Sequence, residues 1–499
     1  MAALSFNSIL RRLSAAAYSG KDSCSDISDG ASCESNAIAC SECVPSRTES
    51  ICTGQQFYAS VLFLKSWFES RAEFSGVTSA VVFLSNSLHF AVAFVALAAL
   101  GKKIVLPHNS SYGALTLLLN EYDCLVADNG VFNTLAGTDF RGVNVEEQLA
   151  QLDVHSSQQR RMPLLSNAPI TVDEEKVEVV VYTSGSTGQP KAIAKPLRCY
   201  TREVNFIDQH WGQLLGDFRI VASVSHQHVY GLLFRFLWPL LSGRVFCSRL
   251  LQFPEELGSD GTPYVLISSP AYLSRLKKHG VVQHEVGPVK VFSSGGPLDQ
   301  EDRFTLQAML DTRVVEVFGS SETGGVAYRE RVHSEDSLAW QPMTPVTVAQ
   351  ATDSQCLRVK SPFIGEAHWF EMADRVQLLA DGRFKLLGRV DSIVKIEEKR
   401  ISLTEIEQLV LNSDWVNHCQ LVVLHGARTQ LGAVVQLSDA GSQLLAEKGK
   451  FFVTQELRGF LACHLERVVV PRKWRFVTSL PYNTQGKLTQ QDLVALFAT

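Results

Sequence analysis

The sequence predicts an α/β protein, in which a large N-terminal domain of layered sheets and helices precedes a small α+β domain. Short apolar runs alternate with helical patterns between residues 55 and 385, as in doubly wound folds. A new βα pattern begins after residue 390, and 499 residues suffice for two or three cores. We therefore predict a variable segment at 1–54, a main domain at 55–390 and a mobile C-terminal domain at 391–499.

The first hundred residues predict a helix, a loop and one strand–helix unit. Residues 1–20 contain Arg11 and Arg12 without a long apolar core, which favours a plain helix over a targeting peptide. Residues 20–52, rich in serine, cysteine and acids, predict a loop. Residues 77–100 are apolar but carry polar side chains at 85–89, which hydrocarbon would penalise. We predict a strand, a turn and a buried helix there, no membrane span, and a cytoplasmic location.

Apolar runs and helical periodicity define the remaining elements. Strands are predicted at residues 177–182, 219–224, 264–268, 289–292, 314–318, 393–396, 420–424 and 433–437. Helices are predicted at residues 203–215, 270–278, 300–310, 403–411 and 453–464. The stretches 356–360 and 375–386 predict antiparallel strands with a hairpin turn at 380–383.

Composition narrows the classes of partner. A formal net charge of -5, with scattered basic residues, lacks the footprint of a nucleic-acid binder, so small-molecule substrates are expected. Six cysteines from Cys124 onward stand alone and predict buried thiols in a reducing compartment. The others cluster earlier, where a variable surface segment and a structural zinc site are the alternatives: Cys24, Cys33, Cys40, Cys43 and Cys52.

A loop rich in glycine and hydroxyl groups follows the predicted strand at 177–182. Such a loop offers backbone N–H groups, hydroxyls and a closing cation to a polyphosphate, which predicts ATP binding. The residues assigned to it are Thr183, Ser184, Gly185, Ser186, Thr187, Gly188 and Lys191. It is not a Walker motif, because no Gly-Lys-Ser/Thr sequence closes it, and a flexible glycine turn is the alternative.

A second lysine, Lys487, lies near the C-terminus in the run Leu-Pro-Tyr-Asn-Thr-Gln-Gly-Lys at 480–487. A remote Gly-Lys in a separate domain suggests that a mobile part of the chain brings another cation to the same phosphates. The two features together predict an enzyme that consumes ATP.

Six motifs in one order give the chain a family resemblance. They are the runs at 183–191, 225–231, 293–298, 317–325 and 480–487, and Asp374 before the predicted hairpin. The chain resembles the adenylate-forming superfamily of acyl- and aryl-CoA synthetases, nonribosomal adenylation domains and luciferases, from residue 77 to the end. The resemblance implies ATP- and Mg²⁺-dependent activation of a small carboxylic acid to an acyl-adenylate. Transfer to the pantetheine thiol of CoA or of an acyl carrier protein would follow.

The resemblance also assigns roles within the main domain. It places Gly295 and Gly296 against adenine, which Phe318 would stack on. Ser321, where the family usually has threonine, would contact the α-phosphate, and Glu322 would hold Mg²⁺. For Glu322, a surface loop is the alternative.

His228, in the run Ser-His-Gln-His-Val-Tyr-Gly at 225–231, would lie beside the substrate carboxylate. For His226 a structural role is expected, although the two histidines could instead form a metal pair. Tyr230, Phe234 and Trp238 would line the acyl pocket or belong to the core.

The resemblance also assigns Asp374 and Arg389, near the end of the main domain, and Asp391 and Lys487 beyond it. Asp374 would bind both ribose hydroxyls, although Met372-Ala373 replaces the usual Thr-Gly. Arg389 would make a second ribose or phosphate contact, with a surface ion pair as the alternative. Asp391 would be the hinge about which Lys487 swings in and out.

The acceptor and the acid stay open. Glu398 stands where the family normally has glycine beside the pantetheine arm, which favours a carrier protein over CoA. The chain also resembles ligases of aryl-polyene pigment pathways, which suggests an aryl acid, or otherwise a medium-chain acyl acid. A non-catalytic nucleotide-binding protein of this fold and a luciferase-like oxygenase are the alternative functions, and a kinase lacks its catalytic Asp constellation.

Overall fold

The chain divides into two units, each with its own sheets and core. The first comprises Met1–Ser337, Met343–Val346 and Ser361–Ala367, and the second Leu338–Pro342, Thr347–Lys360 and His368–Thr499. In this computed structural model the structure describes residues 3–18, 37–40, 51–137, 139–156, 169–183, 190–257, 263–279, 287–298, 300–331, 338–365, 368–390, 393–396, 399–424, 430–462, 465, 470–482 and 488–498. Residues 368–390 group with the second unit in this division. The domain boundary predicted at 390/391 stays a prediction.

Strands and helices alternate through most of the first unit. Its strands are β1 Ala37–Cys40, β2 Ile51–Thr53, β3 Ser79–Phe83, β4 Lys103–Leu106, β5 Cys124–Ala127, β6 Gly142–Asn144, β7 Glu178–Thr183, β8 Lys191–Pro196, β9 Arg219–Ala222, β10 Phe246–Cys247, β11 Tyr264–Ser268, β12 Pro288–Ser293, β13 Val314–Ser320 and β14 Gly324–Glu330. Its helices are α1 Phe6–Tyr18, α2 Gly54–Ser70, α3 Ser87–Ala99, α4 Tyr112–Leu119, α5 Asn129–Thr134, α6 Val145–Ser156, α7 Leu197–Ile207, α8 Gln213–Leu215, α9 Val229–Gly231, α10 Trp238–Ser242, α11 Pro270–His279 and α12 Gln300–Leu310. Wider π-helical turns at Asp208–Gly212 and Leu232–Leu237 extend α7 and α9.

Two predominantly parallel sheets organise this unit. One has the order β14-β13-β12-β11-β9-β10-β1-β2 and is antiparallel only at its two ends. The other has the order β6-β5-β3-β4-β7-β8, with β8 antiparallel to β7. The predicted α/β class is confirmed. Because β11, β12 and β13 are parallel, the loops after them leave the same edge of the sheet, where open α/β sheets bind ligands.

The apolar stretch near residue 90 is a buried helix. Asn86 caps α3 by accepting from the N–H groups of Leu88 and His89, and nearly all of the helix is shielded from water. No helix within the described part of the chain is long and apolar enough to cross a membrane. The predicted strand, turn and helix are confirmed.

The loop predicted for residues 20–52 is partly wrong. Ala37–Cys40 forms β1, which pairs in parallel with β10 and antiparallel with β2. Short runs with cysteine and alanine carry little strand periodicity, and the sheet edge supplied by β10 decides their conformation. Of the remaining early cysteines, Cys24, Cys33 and Cys43 lie outside the described residues, whereas five later ones are buried free thiols: Cys124, Cys199, Cys247, Cys356 and Cys419.

The second unit is richer in antiparallel pairing. Its strands are β15 Gln341–Pro342, β16 Thr347–Gln350, β17 Cys356–Lys360, β18 Phe370–Leu378, β19 Phe384–Arg389, β20 Ile393–Ile396, β21 Lys399–Ser402, β22 Val416–Leu424, β23 Gln430–Leu437 and β24 Lys473–Val477. Its helices are α13 Leu403–Leu411, α14 Asp439–Ala462, which is interrupted at Gly449 (φ 81°), and α15 Gln490–Ala495. β16–β19 form one antiparallel sheet, and β22–β24 form another that packs on α13 and α14.

Candidate active site

The two ends of the predicted phosphate loop are held together by strand pairing. β7 ends at Thr183 and β8 begins at Lys191, and these two residues are direct cross-strand partners. Residues 184–189 between them, and with them Ser184, Gly185, Ser186, Thr187 and Gly188, lie outside the described residues. The two residues that flank the loop are therefore held by strand pairing, which also positions Lys191.

Lys191 meets Glu322 at this base. Its Nζ lies 2.7 Å from Oε1 of Glu322, which is 131 positions away in the chain. Partial burial would raise the pKa of Glu322, but the hydrogen bond and charge of Lys191 bring the net pKa below its ordinary value. Glu322 is thus held ionised, as a ligand for Mg²⁺ must be, and carboxylate oxygen is a donor that Mg²⁺ prefers. Among the described residues its oxygens fit such an ion together with substrate phosphates.

The turn that carries Ser321 and Glu322 is tightly braced. Ser320 and Thr323 exchange hydrogen bonds, because the N–H of each donates to the side-chain oxygen of the other at 3.1 Å. Gly324 follows with φ 70°, a left-handed conformation that favours glycine. Both Ser321 and Glu322 stay half-buried at the rim of the sheet. The braced turn fixes where a metal-binding carboxylate would stand.

The predicted adenine loop lies beside Phe318. Ser294 donates from Oγ to the backbone oxygen of Val317 at 2.8 Å, which ties the loop after β12 to the end of β13. Gly295 and Gly296 are exposed, and Gly295 has φ 90°. The half-buried ring of Phe318 follows Val317 directly. The Ser294–Val317 hydrogen bond thus places the predicted adenine loop next to the strand end that carries Phe318.

His226 and His228 differ sharply in their surroundings. His226 is buried, with Nδ1 3.1 Å from Ser87 Oγ and Nε2 2.7 Å from Leu84 O, and burial holds its pKa well below the usual value. The expected structural role of His226 is confirmed, and a metal pair with His228 does not fit, since both ring nitrogens have partners. His228 is half-buried at the start of α9. A Cβ at Gly231 would overlap the backbone oxygen of Ser225, so the segment is folded tightly back on itself.

The pocket residues proposed from the sequence divide into two groups. Trp238 is fully buried and donates from Nε1 to Asp208, and Phe234 packs against Phe292. Both are core residues. Tyr230 keeps partial exposure and packs on Phe234, at 5.0 Å between ring centroids.

Sequence reasoning missed a buried charged pair next to the Glu322 turn. Glu203 on α7 accepts the N–H of Gly325 at 2.6 Å, and both are buried. Lys195 on β8 is 4% exposed, and the charges of Glu203 and Lys195 act on each other. Burial raises the pKa of Glu203 to about 7, against the opposing effects of Lys195 and the Gly325 N–H. The available signal was Lys195 itself, which alternates in phase with buried Ile193 along the strand.

In the second unit, Asp374 and Arg389 form a cross-strand pair. They are partners in the β18–β19 register, and Arg389 Nη1 donates to Asp374 Oδ2 at 3.2 Å. Asp374 is buried and Arg389 is half-exposed. The predicted hinge Asp391, the residue Glu398 and the predicted catalytic Lys487 lie outside the described residues.

Comparisons with known proteins identify the family of this chain and its fold. The sequence model of the family described as AMP-binding enzyme matches residues 34–355. A 4-coumarate–CoA ligase of Cereibacter sphaeroides is 26% identical over 328 residues, 63% of this chain and 70% of that protein. A 3,4-dihydroxybenzoate–[aryl-carrier protein] ligase of Bacillus anthracis is 21% identical over 331 residues, 64% of this chain and 74% of that protein.

Solved structures match nearly the whole fold. A benzoate CoA ligase from Burkholderia xenovorans has a TM-score of 0.72 at 15% identity, covering 98% of this chain and 100% of that chain. ATP-bound MatB from Rhodopseudomonas palustris also has a TM-score of 0.72, at 17% identity, covering 97% and 98%. At these identities the likeness shows the fold. The family match adds that this chain belongs to the AMP-binding enzymes of the adenylate-forming superfamily, as its motifs predicted.

Proposed function

We propose that this protein uses ATP to activate a small carboxylic acid as an acyl-adenylate, releases pyrophosphate, and then transfers the acyl group to a pantetheine thiol. The observation that carries the proposal is the meeting of Lys191 and Glu322 at the base of the phosphate loop. Relatives that join aryl acids to CoA or to an aryl-carrier protein support the same reaction class.

The first half-reaction sets one anion against another. A carboxylate oxygen of the acid attacks the α-phosphorus, the bond to the β-phosphate oxygen breaks, and pyrophosphate leaves. Lys191 would exchange its contact with Glu322 for the phosphates that it faces, and Mg²⁺ held by Glu322 would neutralise charge on the departing group. Preorganised charge of this kind stabilises the transition state without reorganisation.

We assign the binding of adenine, ribose and the carboxylic acid to further residues. Phe318 offers a half-buried face to adenine beside Gly295 and Gly296, and Ser321 offers a hydroxyl to the α-phosphate. His228 would position the acid, and Asp374 and Arg389 would bind the ribose. Lys487 would bridge the attacking carboxylate and the α-phosphate. Holding the reactants in this way removes most of the entropic cost of the encounter.

In the second half-reaction a thiolate would attack the acyl carbonyl, and AMP would leave. We propose a carrier-protein pantetheine as the acceptor in preference to CoA, because Glu398 replaces a glycine beside the expected path of the pantetheine arm. A rotation about Asp391 would withdraw Lys487 between the two steps. An aryl acid is our first candidate, since both relatives described above act on aryl acids by name.

Acid-dependent exchange of labelled pyrophosphate into ATP tests the proposal, together with hydroxylamine trapping over a panel of aryl and medium-chain acids. We expect at least one aryl acid to support exchange, and Lys487→Ala to lower the exchange rate by ~10²–10³. Lys473→Ala, at an exposed lysine of β24, is the matched control and should exchange normally. Wild-type protein that binds Mg·ATP but exchanges with no acid would favour the non-catalytic alternative, and an oxygen-dependent product would favour a luciferase-like oxygenase.

A further inference from the structure

The turn that carries Glu322 rests on a buried carboxylate. Oε1 of Glu203 accepts the Gly325 N–H at 2.6 Å, three residues beyond Glu322. A Cβ added at Gly324 would overlap Oε2 of Glu203, and one added at Gly325 would press on Oε1 at 2.9 Å. The two glycines therefore let the backbone of the turn approach the carboxylate more closely than any other residue would allow.

An irregularity in the sheet makes this contact necessary. The β13–β14 register shifts between Phe318 and Gly319, so that Phe318 pairs with Ala327 but Gly319 pairs with Gly325. A bulge of this kind leaves a residue outside the regular ladder and is common beside active sites. Glu203 supplies the acceptor for the N–H of Gly325 within the bulged region. A side chain from α7 thus completes the hydrogen bonding at the point where the strand turns.

Lys195 lies on β8, the strand that also carries Lys191. Along β8, residues 191, 193 and 195 share one face, and the two lysines are separated by four residues, about 13 Å. Lys191 pairs with Glu322, whereas Lys195 is buried within electrostatic reach of both Glu203 and Glu322 and lies 5.9 Å from the ring centre of Tyr200. β8 therefore carries both Lys191, which pairs with Glu322, and the buried Lys195.

Glu203 and Lys195 are both buried, and burying ionisable groups of opposite charge is costly unless their surroundings compensate them. The desolvation of each ion costs several kcal/mol, and apolar residues of similar volume are often as stable. Here the carboxylate of Glu203 contacts the turn that carries Glu322. The geometry favours a role in that turn over a role in stability alone.

We propose that Glu203 is a positioning residue for the binding of Mg·ATP. Its carboxylate fixes the Ser320–Gly325 turn, so that Glu322 is held where it contacts Lys191 and can bind the metal. The inference rests on the proposed function, since it assumes that Glu322 binds the metal of Mg·ATP.

The experiment compares Glu203→Ala and Glu203→Gln with a matched pair at Glu407. Glu407 in the second unit also accepts one backbone N–H, from Leu421 at 2.7 Å, but lies beside no proposed ligand. We expect Glu203→Ala to raise the KM for Mg·ATP and its Kd in calorimetry by about tenfold, because the hydrogen bond that fixes the Gly325 N–H is lost. The KM for the acid should not change, and Glu407→Ala should leave both constants unchanged.

Glu203→Gln keeps an acceptor oxygen and the shape of the side chain, so we expect a smaller rise, about threefold, with a melting temperature close to wild type. This variant decides the matter if Glu203→Ala fails to fold. Unchanged Mg·ATP constants in a folded Glu203 variant would overturn the inference. An equal rise in both substrate constants would also overturn it, because it would indicate a general structural role.

The two proposals fail in different ways. If the wild-type protein binds Mg·ATP but exchanges with no acid, the proposed function fails while calorimetry on the Glu203 variants still judges the inference. If exchange occurs and the Glu203 variants behave as wild type, only the inference fails. Wild-type protein that binds no Mg·ATP overturns both.

Discussion

The two units bury charge in very different ways. In the first unit several ionisable side chains lie almost wholly out of water, including Lys195, Glu203, Arg303 and Glu316. Among the described residues of the second unit, Asp374, at 7% exposure, is the one buried acidic or basic side chain, and the core around α13 and α14 is apolar. Because buried charge must be compensated, its location marks where the fold holds polar groups in fixed positions.

The difference is clearest in a buried network of the first unit. Glu316 on β13 receives two hydrogen bonds from Arg329, at 3.1 and 2.7 Å, and lies 3.0 Å from Arg303 Nε. This strand continues into Phe318 and the Glu322 turn. The buried charges therefore hold β13 in place where it leads to the candidate site. The core of the second unit is held by apolar packing instead.

The largest effect is expected from breaking this network. Glu316→Gln leaves two arginines beside a neutral amide, and we expect the first unit to lose about 3–5 kcal/mol of unfolding free energy. Urea unfolding followed by tryptophan fluorescence measures the loss, with Glu371→Gln on the rim of the second unit as a control near zero. A loss of unfolding free energy below about 1 kcal/mol would show that the buried charges around Glu316 do not stabilise the first unit.

The next effect concerns catalysis without stability. Glu322→Gln removes a partly exposed carboxylate, so we expect exchange activity to fall by ~10²–10³ while the unfolding free energy changes by less than about 1 kcal/mol. Glu330→Gln, which removes a carboxylate near Lys290 and Arg313, is the control. Equal losses in the two variants would argue against a special role for the Lys191–Glu322 pair.

A smaller effect should appear in the second unit as pH changes. Burial raises the pKa of Glu407 to about 7, against the opposing hydrogen bond from the Leu421 N–H. The unfolded chain releases this proton near pH 4.5 and the folded chain near pH 7, so folded stability falls across that window and levels off above it. Glu407→Gln should remove this dependence and stabilise the second unit at pH 8 by about 1–3 kcal/mol.

Thermal unfolding of wild type and Glu407→Gln at pH 5 and pH 8 measures this effect. A Glu407 variant that is less stable than wild type at pH 8 would show that its carboxylate, like that of Glu316, is compensated by its surroundings.

Much of the fold could be predicted from local patterns. The strands at 264–268 and 393–396 and the helices at 300–310 and 403–411 have the predicted bounds, since each has strong apolar periodicity and clear flanking turns. The helix predicted at 203–215 instead begins at Leu197, and a π-helical turn interrupts it at Asp208–Gly212. The hydrophobic periodicity of the sequence does not reveal a π-helical turn, because such a turn shifts the side-chain pattern by only one residue.

The sequence by itself determined the α/β class, the family, and the identity of Lys191, Phe318, Ser321 and Glu322 as candidates, because these depend on residue types in a fixed order. The tertiary structure alone decided that Lys191 meets Glu322, that β1 joins the edge of the large sheet, and that Glu203 supports the turn from below. Such contacts join residues more than a hundred positions apart. Their geometry depends on how sheets and helices pack, which local propensity and periodicity do not specify.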